Sequence, residues 1–256
     1  MKYEIIDFHT HPFSESAEML GSHKEYINRN PKDFLKQLNR AGITKFAGSV
    51  ITNIKDADAM KKCNDSVLML RKLYGDAYIP GFTVDAKDVD GSKHEIDRAL
   101  NEGVRLIGEL VPYHYGWKYS DSGFEEILSY SEGKGLIFSL HTADELDVMG
   151  ELAKKHPNIT FVFAHPGEID RLKKHIEVMK QCENVYLDLS GTGLFRYGML
   201  KRLVVEVGAD RILFGTDYPI CNAGMYVGGV EYEEISDEEK ALIFSGNAKR
   251  ILGILN

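Results

Sequence analysis

Thr160-Phe161-Val162-Phe163-Ala164-His165-Pro166-Gly167 carries the reading of the fold. Phe161 to Ala164 are apolar without alternation, as in a strand of a parallel sheet covered on both faces. A histidine and a Pro-Gly turn end the run, and a helical pattern over 169–182 follows at once. The same unit recurs outward in both directions. Apolar, β-branched runs predict strands over 3–9, 44–50, 78–84, 105–110, 136–141, 160–165, 185–189 and 211–215. Helical patterns fall between them over 31–40, 57–74, 92–101, 124–132, 145–156, 169–182 and 197–207, with one or two more between 236 and 255. Ser236 before Asp237-Glu238-Glu239 is an N-cap with acids in the first turn. Strands alternating with helices imply parallel βαβ units with right-handed crossovers. Eight units in 256 residues match the size of one α/β barrel. The expected fold is therefore α/β, a (β/α)8 or TIM barrel forming a single domain over residues 1–256; an open doubly wound sheet is the rival.

Composition narrows the partners. A net charge of −8 without a basic block gives no electrostatic footprint for nucleic acid. Nothing approaches a membrane span, and Met1 to Glu4 do not read as a signal peptide. Cys63, Cys182 and Cys221 are odd in number and widely spaced, which suits free thiols in a reducing cytoplasm.

In such a barrel the active site lies at the C-terminal ends of the strands. The first predicted strand ends in His9 and His11, which share a face because side chains alternate with period two. The fourth ends in Glu109, the fifth in His141, the sixth in His165, and Asp217 follows the eighth. Any one of these would pass as a hydrogen-bonding core or turn residue. Recurrence at matched ends of five strands points instead to a divalent metal. A nitrogen and oxygen donor set without thiolate suits zinc, with manganese, iron or nickel as replacements.

The set His9-x-His11, His141, His165 and Asp217 resembles the amidohydrolase superfamily of metal-dependent hydrolases. It is especially similar to amidohydrolase family 2, the branch that contains aminocarboxymuconate-semialdehyde decarboxylase. Gly246-Asn247-Ala248-Lys249-Arg250 is similar to that branch's closing motif, so the resemblance spans residues 5–253. It implies that His9, His11, His141 and Asp217 hold the more buried ion, that Asp217 moves the proton of a metal-activated water, and that His165 orients the water or ligates a second ion. Glu109 departs from the carboxylated lysine of many two-metal relatives and stands where the metal-dependent deoxyribonuclease branch has a glutamate. One or two ions both fit this reading.

The loops address the substrate. Tyr113, His114 and Trp117 follow Glu109 directly and are candidates to line a pocket for a planar molecule, or to pack loop on loop. Arg196 is a candidate clamp for a carboxylate, with a surface ion pair as its ordinary alternative. The first loop offers Ser14, Glu15, Ser16, His23 and Tyr26. The segment 221–230, with three glycines and no charge, reads as a flap. His94, His156 and His175 lie amid helical charge and read as exposed. The leading function is a hydrolase of a small ester, lactone, amide or phosphoester. The alternative is a non-oxidative decarboxylase of an aromatic or unsaturated acid, and the third a metal-binding barrel without catalysis. A nuclease is the fourth, opposed by the charge. Dimers are common among barrels of this kind, which leaves a homodimer possible, although no self-complementary surface is readable.

Overall fold

The computed structural model describes residues 2–15, 18, 24–26, 30–52, 58–142 and 145–254; Ser16 and His23 of the first loop lie outside them. Eight strands form one parallel sheet in chain order: β1 Ile6–Thr10, β2 Lys45–Ser49, β3 Tyr78–Phe82, β4 Leu106–Leu110, β5 Ile137–His141, β6 Thr160–Ala164, β7 Val185–Asp188 and β8 Ile212–Leu213. The last strand meets the first through Phe8 N–H to Phe214 O at 2.8 Å and His11 N–H to Tyr218 O at 2.8 Å. The result is the expected (β/α)8 barrel.

The layers follow the apolar runs. One buried residue or more from each of β1, β2 and β4 to β8 (Ile6, Phe8, Ala47, Leu106, Ile137, Val162, Tyr186, Leu213) packs inside the barrel, with Ile79 of β3 against them. Their strand neighbours Phe46, Ile107, Phe138, Phe161, Phe163 and Ile212 face outward into the larger core shared with the helices. Those helices are α1 Phe34–Arg40, α2 Ala59–Tyr74, α3 Val89–Asn101, α4 Pro112–Tyr115, α5 Ser122–Ser131, α6 Leu146–Lys155, α7 Ile169–Gln181, α8 Met199–Val207, α9 Ala223–Glu231, α10 Asp237–Ala241 and α11 Asn247–Leu252. Ser236 caps α10, as the sequence led us to expect, and does so in a reciprocal box with Glu239. A π-helical turn, Leu242–Gly246, joins α10 to α11. Among the described residues no helix is long and apolar enough to cross a membrane.

Two expectations are corrected. The segment 221–230 is not a flap but mostly the helix α9. Asn222 accepts a hydrogen bond from Gly224 N–H at 3.0 Å as its cap. Ala223, Tyr226, Val227 and Val230, at helical spacing, bury one face. His156 and His175 are buried rather than exposed. His175 takes the core face of α7 beside Phe163, and burial pushes its pKa down to about 3. His94 is exposed as expected.

Candidate active site

The site residues reach the barrel axis through departures from regular strand geometry. Alternation from Leu106 inward and Ile107 outward would turn Glu109 outward. A register shift between Ile107 and Leu110 reverses that, so Leu110 joins the outer core and Glu109 faces the interior. A second shift between Asp7 and Thr10 does the same for His9 and His11. His165 follows the outward-facing Phe163 by two residues, yet its side chain points inward, because its backbone is left-handed with φ 66°. Asp217, with φ 65°, is the other non-glycine residue of positive φ among those described. Both are conformations that side chains disfavour and that a surrounding structure must hold in place.

The six predicted donors converge. His9 Nε2 and His11 Nε2 lie 3.3 Å apart, and each is 3.4 Å from Glu109 Oε2. Asp217 Oδ1 is 3.1 Å from His11 Nε2 and 3.6 Å from His9 Nε2. The other Glu109 oxygen, Oε1, is 2.9 Å from His141 Nδ1 and 3.1 Å from His165 Nε2, and those two nitrogens are 3.0 Å apart. The donors thus fall into two groups that share Glu109: His9, His11 and Glu109, and Glu109, His141 and His165. His141, expected beside His9 and His11, sits instead with His165.

This arrangement fits a divalent cation. Ring nitrogens crowd together at 3.0 and 3.3 Å with carboxylate oxygens facing them. Asp217 Oδ1 is buried without a hydrogen-bond partner among the described residues. Without an ion, protons take its place. Burial opposes charge on His9 and His11, but the carboxylates outweigh it: Asp188 and Glu109 raise His9 well above 6.5, and Asp217 and Glu109 raise His11 to about 9. Burial and the surrounding histidines act oppositely on Glu109, and His9, His141 and His11 win, holding its carboxyl well below 4.5.

Three supporting residues escaped the sequence reading. Asp188, at the end of β7, lies 2.9 Å from His9 Nδ1 through Oδ2. Ser190 Oγ lies 3.1 Å from His9 Nδ1 and 3.0 Å from His165 Nδ1. Asp7 accepts from Thr216 N–H at 3.0 Å and Thr216 Oγ–H at 2.6 Å, and burial raises its pKa to about 7. Their signal was an acid or hydroxyl interrupting an apolar strand, as in Ile6-Asp7-Phe8 and Leu187-Asp188-Leu189-Ser190.

Beside the donors opens a cavity of about 450 Å³, lined by Pro112, Tyr113, Gly116, Trp117, Lys118, Tyr119, His141 and Glu145. Tyr113 stands edge-on to His141, ring centres 5.4 Å apart. Trp117 serves both of its expected roles, lining the cavity and packing on Tyr119 and Phe124. His114 is half-buried and does not line this cavity. Burial, then the nearby His11 and His141, lowers its pKa despite an opposing hydrogen bond to the Thr52 backbone. Arg196 is absent from the lining as well; it forms a two-pronged ion pair with Glu168 at 2.9 and 3.3 Å on the exposed rim.

The amidohydrolase family profile matches residues 6–254, nearly the whole chain. The chain belongs to the amidohydrolase family. Within it, the chain is 32% identical over 247 residues to a gamma-resorcylate decarboxylase of Polaromonas sp., covering 87% of this chain and 75% of that one. Among solved folds, 2,6-dihydroxybenzoate decarboxylase from Rhizobium superposes with a TM-score of 0.76 at 17% identity, covering 98% of this chain and 99% of the other. A dihydroxybenzoic acid decarboxylase from Polaromonas sp., solved with manganese and 2-nitroresorcinol, gives 0.74 at 16% identity, covering 98% and 97%. These amidohydrolase-family barrels share the fold described above.

Proposed function

We propose that this amidohydrolase-family chain is a metal-dependent, non-oxidative decarboxylase of a small aromatic acid. The observation that carries the reading is the aromatic-walled cavity at His141, beside the donor cluster. Its Tyr113, Trp117 and Tyr119 rings suit a planar substrate. His141, one of the residues that would hold the cation, forms part of its wall. The similarity to a gamma-resorcylate decarboxylase supports the same choice. Manganese and zinc both suit the donor set, and the three free cysteines fit a reducing cytoplasm.

His9, His11, Glu109 and Asp217 would hold a cation, and Glu109, His141 and His165 offer a second position. Bound there, the cation would supply positive charge against the substrate's oxygens and the electron density that gathers on the ring. The chain's own residues do the rest. Tyr113 and Trp117 fix the ring plane and keep water from its face. As the bond between ring and carboxyl carbon breaks, carbon dioxide leaves and the electron pair stays on the ring carbon. That carbon takes a proton relayed from solvent through Asp217. His165 stands edge-on to His141, ring centres 4.7 Å apart.

Hydrolysis of an ester or lactone is the second reading. It is favoured by Glu109, whose two oxygens each face one histidine pair in the manner of a two-ion, water-activating centre. The deciding experiment incubates manganese- or zinc-loaded protein with 2,6-dihydroxybenzoate and other hydroxybenzoates, and separately with esters and lactones. Release of carbon dioxide with the matching phenol is expected. Hydrolysis of the second panel with no decarboxylation of the first would overturn the proposal.

A further inference from the structure

The loop that leaves β7 passes beneath one histidine of each donor pair. Asp188 and Ser190 are both fully buried there. Asp188 Oδ2 lies 2.9 Å from His9 Nδ1. Ser190 Oγ–H donates to Asp188 Oδ1, and Ser190 N–H also donates to that oxygen at 2.9 Å. Having spent its one proton on Asp188, the Ser190 oxygen can only accept from the ring nitrogens beside it. His165 Nδ1 is 3.0 Å away and His9 Nδ1 is 3.1 Å away.

We infer that Asp188 and Ser190 act as one positioning unit that sets the tautomer of both His9 and His165. A hydrogen-bond acceptor at Nδ1 places the ring proton there and leaves the Nε2 lone pair for a cation that Glu109 would share. Asp188 does this directly for His9. Ser190 does it for His165, carrying the influence of the Asp188 charge through its hydroxyl. On the Nδ1 side one assignment gives every group a partner: His9 Nδ1–H to Asp188, His165 Nδ1–H to Ser190, Ser190 Oγ–H to Asp188. Reversing either imidazole would set its Nδ1 lone pair against the Asp188 carboxylate or the Ser190 oxygen and put a proton on the Nε2 that a cation would need. The inference concerns the donor geometry alone and stands whether the chain decarboxylates or hydrolyses.

The test reads the ring protons in zinc-loaded protein labelled with ¹⁵N-histidine. Two slowly exchanging Nδ1–H signals, from His9 and His165, are expected in the unaltered chain. In Ser190→Ala the His165 signal should exchange at least tenfold faster while that of His9 persists. In Asp188→Asn both should lose protection. Zinc affinity gives a second readout: each substitution should weaken it about tenfold, and the pair together by less than the product, because both act through one unit. Asp188→Asn reads the unit from its other end, so the test survives if one variant fails to fold. An Nε2–H tautomer at His165, an unchanged His165 signal in Ser190→Ala, or strictly multiplicative losses in zinc affinity would overturn the inference.

Discussion

Gly191 lies so close beneath His165 that a Cβ there would stand 2.4 Å from Nδ1 of the imidazole. Gly191 also has φ +67°, a conformation that costs an alanine about 1 kcal/mol. Gly191→Ala is therefore expected to push His165 out of place while the barrel survives. Turnover should fall about a hundredfold, with a melting temperature lowered by only a few degrees. Normal turnover in a folded Gly191→Ala protein would show that the position of His165 does not matter.

The two oxygens of Glu109 face different histidine pairs, so the number of ions bound is readable from one side chain. Elemental analysis of protein reloaded with manganese should give two ions per chain, and Glu109→Gln no more than one. Two ions retained in that variant would remove Glu109 from the metal centre.

Protons and metal compete for the same nitrogens, and the direction of the pH effect follows. His11 is raised to about 9 in the folded, metal-free chain from 6.5 when unfolded. Its contribution to metal-free stability is thus fully present below about 6.5 and is lost as pH rises through about 9. The loaded protein needs neutral imidazoles, so metal affinity climbs over the same window. Thermal unfolding between pH 6.5 and 9 should show the gap between loaded and metal-free protein widening steadily. A constant gap would contradict the protonated site.

Tyr113 and Trp117 line one cavity from different structural situations. Tyr113 is 55% exposed, whereas Trp117 is 3% exposed against Tyr119 and Phe124. Tyr113→Ala should raise KM for an aromatic acid about tenfold, with stability changed by about 0.5 kcal/mol or less. Trp117→Ala should cost about 3–5 kcal/mol of stability. Chemical denaturation and steady-state kinetics on both variants separate the two roles.

His9→Ala and Asp217→Asn are each expected to abolish turnover while leaving a folded barrel by circular dichroism. Full activity in either would displace the site from this end of the barrel.

Much of the architecture was legible because a parallel strand is simply an apolar run. The strands predicted over 136–141 and 160–165 differ by a residue from β5 and β6. The donors were legible because the fold sends strand ends to one place. What alternation could not convey is how Glu109, His9 and His165 come to face inward, since that rests on two register shifts and one left-handed residue. Asp188 and Ser190 were passed over because a single polar residue in an apolar strand carries no spacing signal. His175 misled for the opposite reason: the charged residues around it in α7 hid the face that meets Phe163.

The junction of first and last strands has a consequence for how the chain is assembled. Asp7 and Thr216 are 209 residues apart in sequence yet hydrogen-bonded, and His9 O accepts from Asp217 N–H at 2.8 Å beside them. The donor set is therefore complete only when almost the full length of chain has come round to meet its own beginning. An ion held by both His9 and Asp217 would act as a clasp on that circle, and its binding energy would count toward folding as well as chemistry.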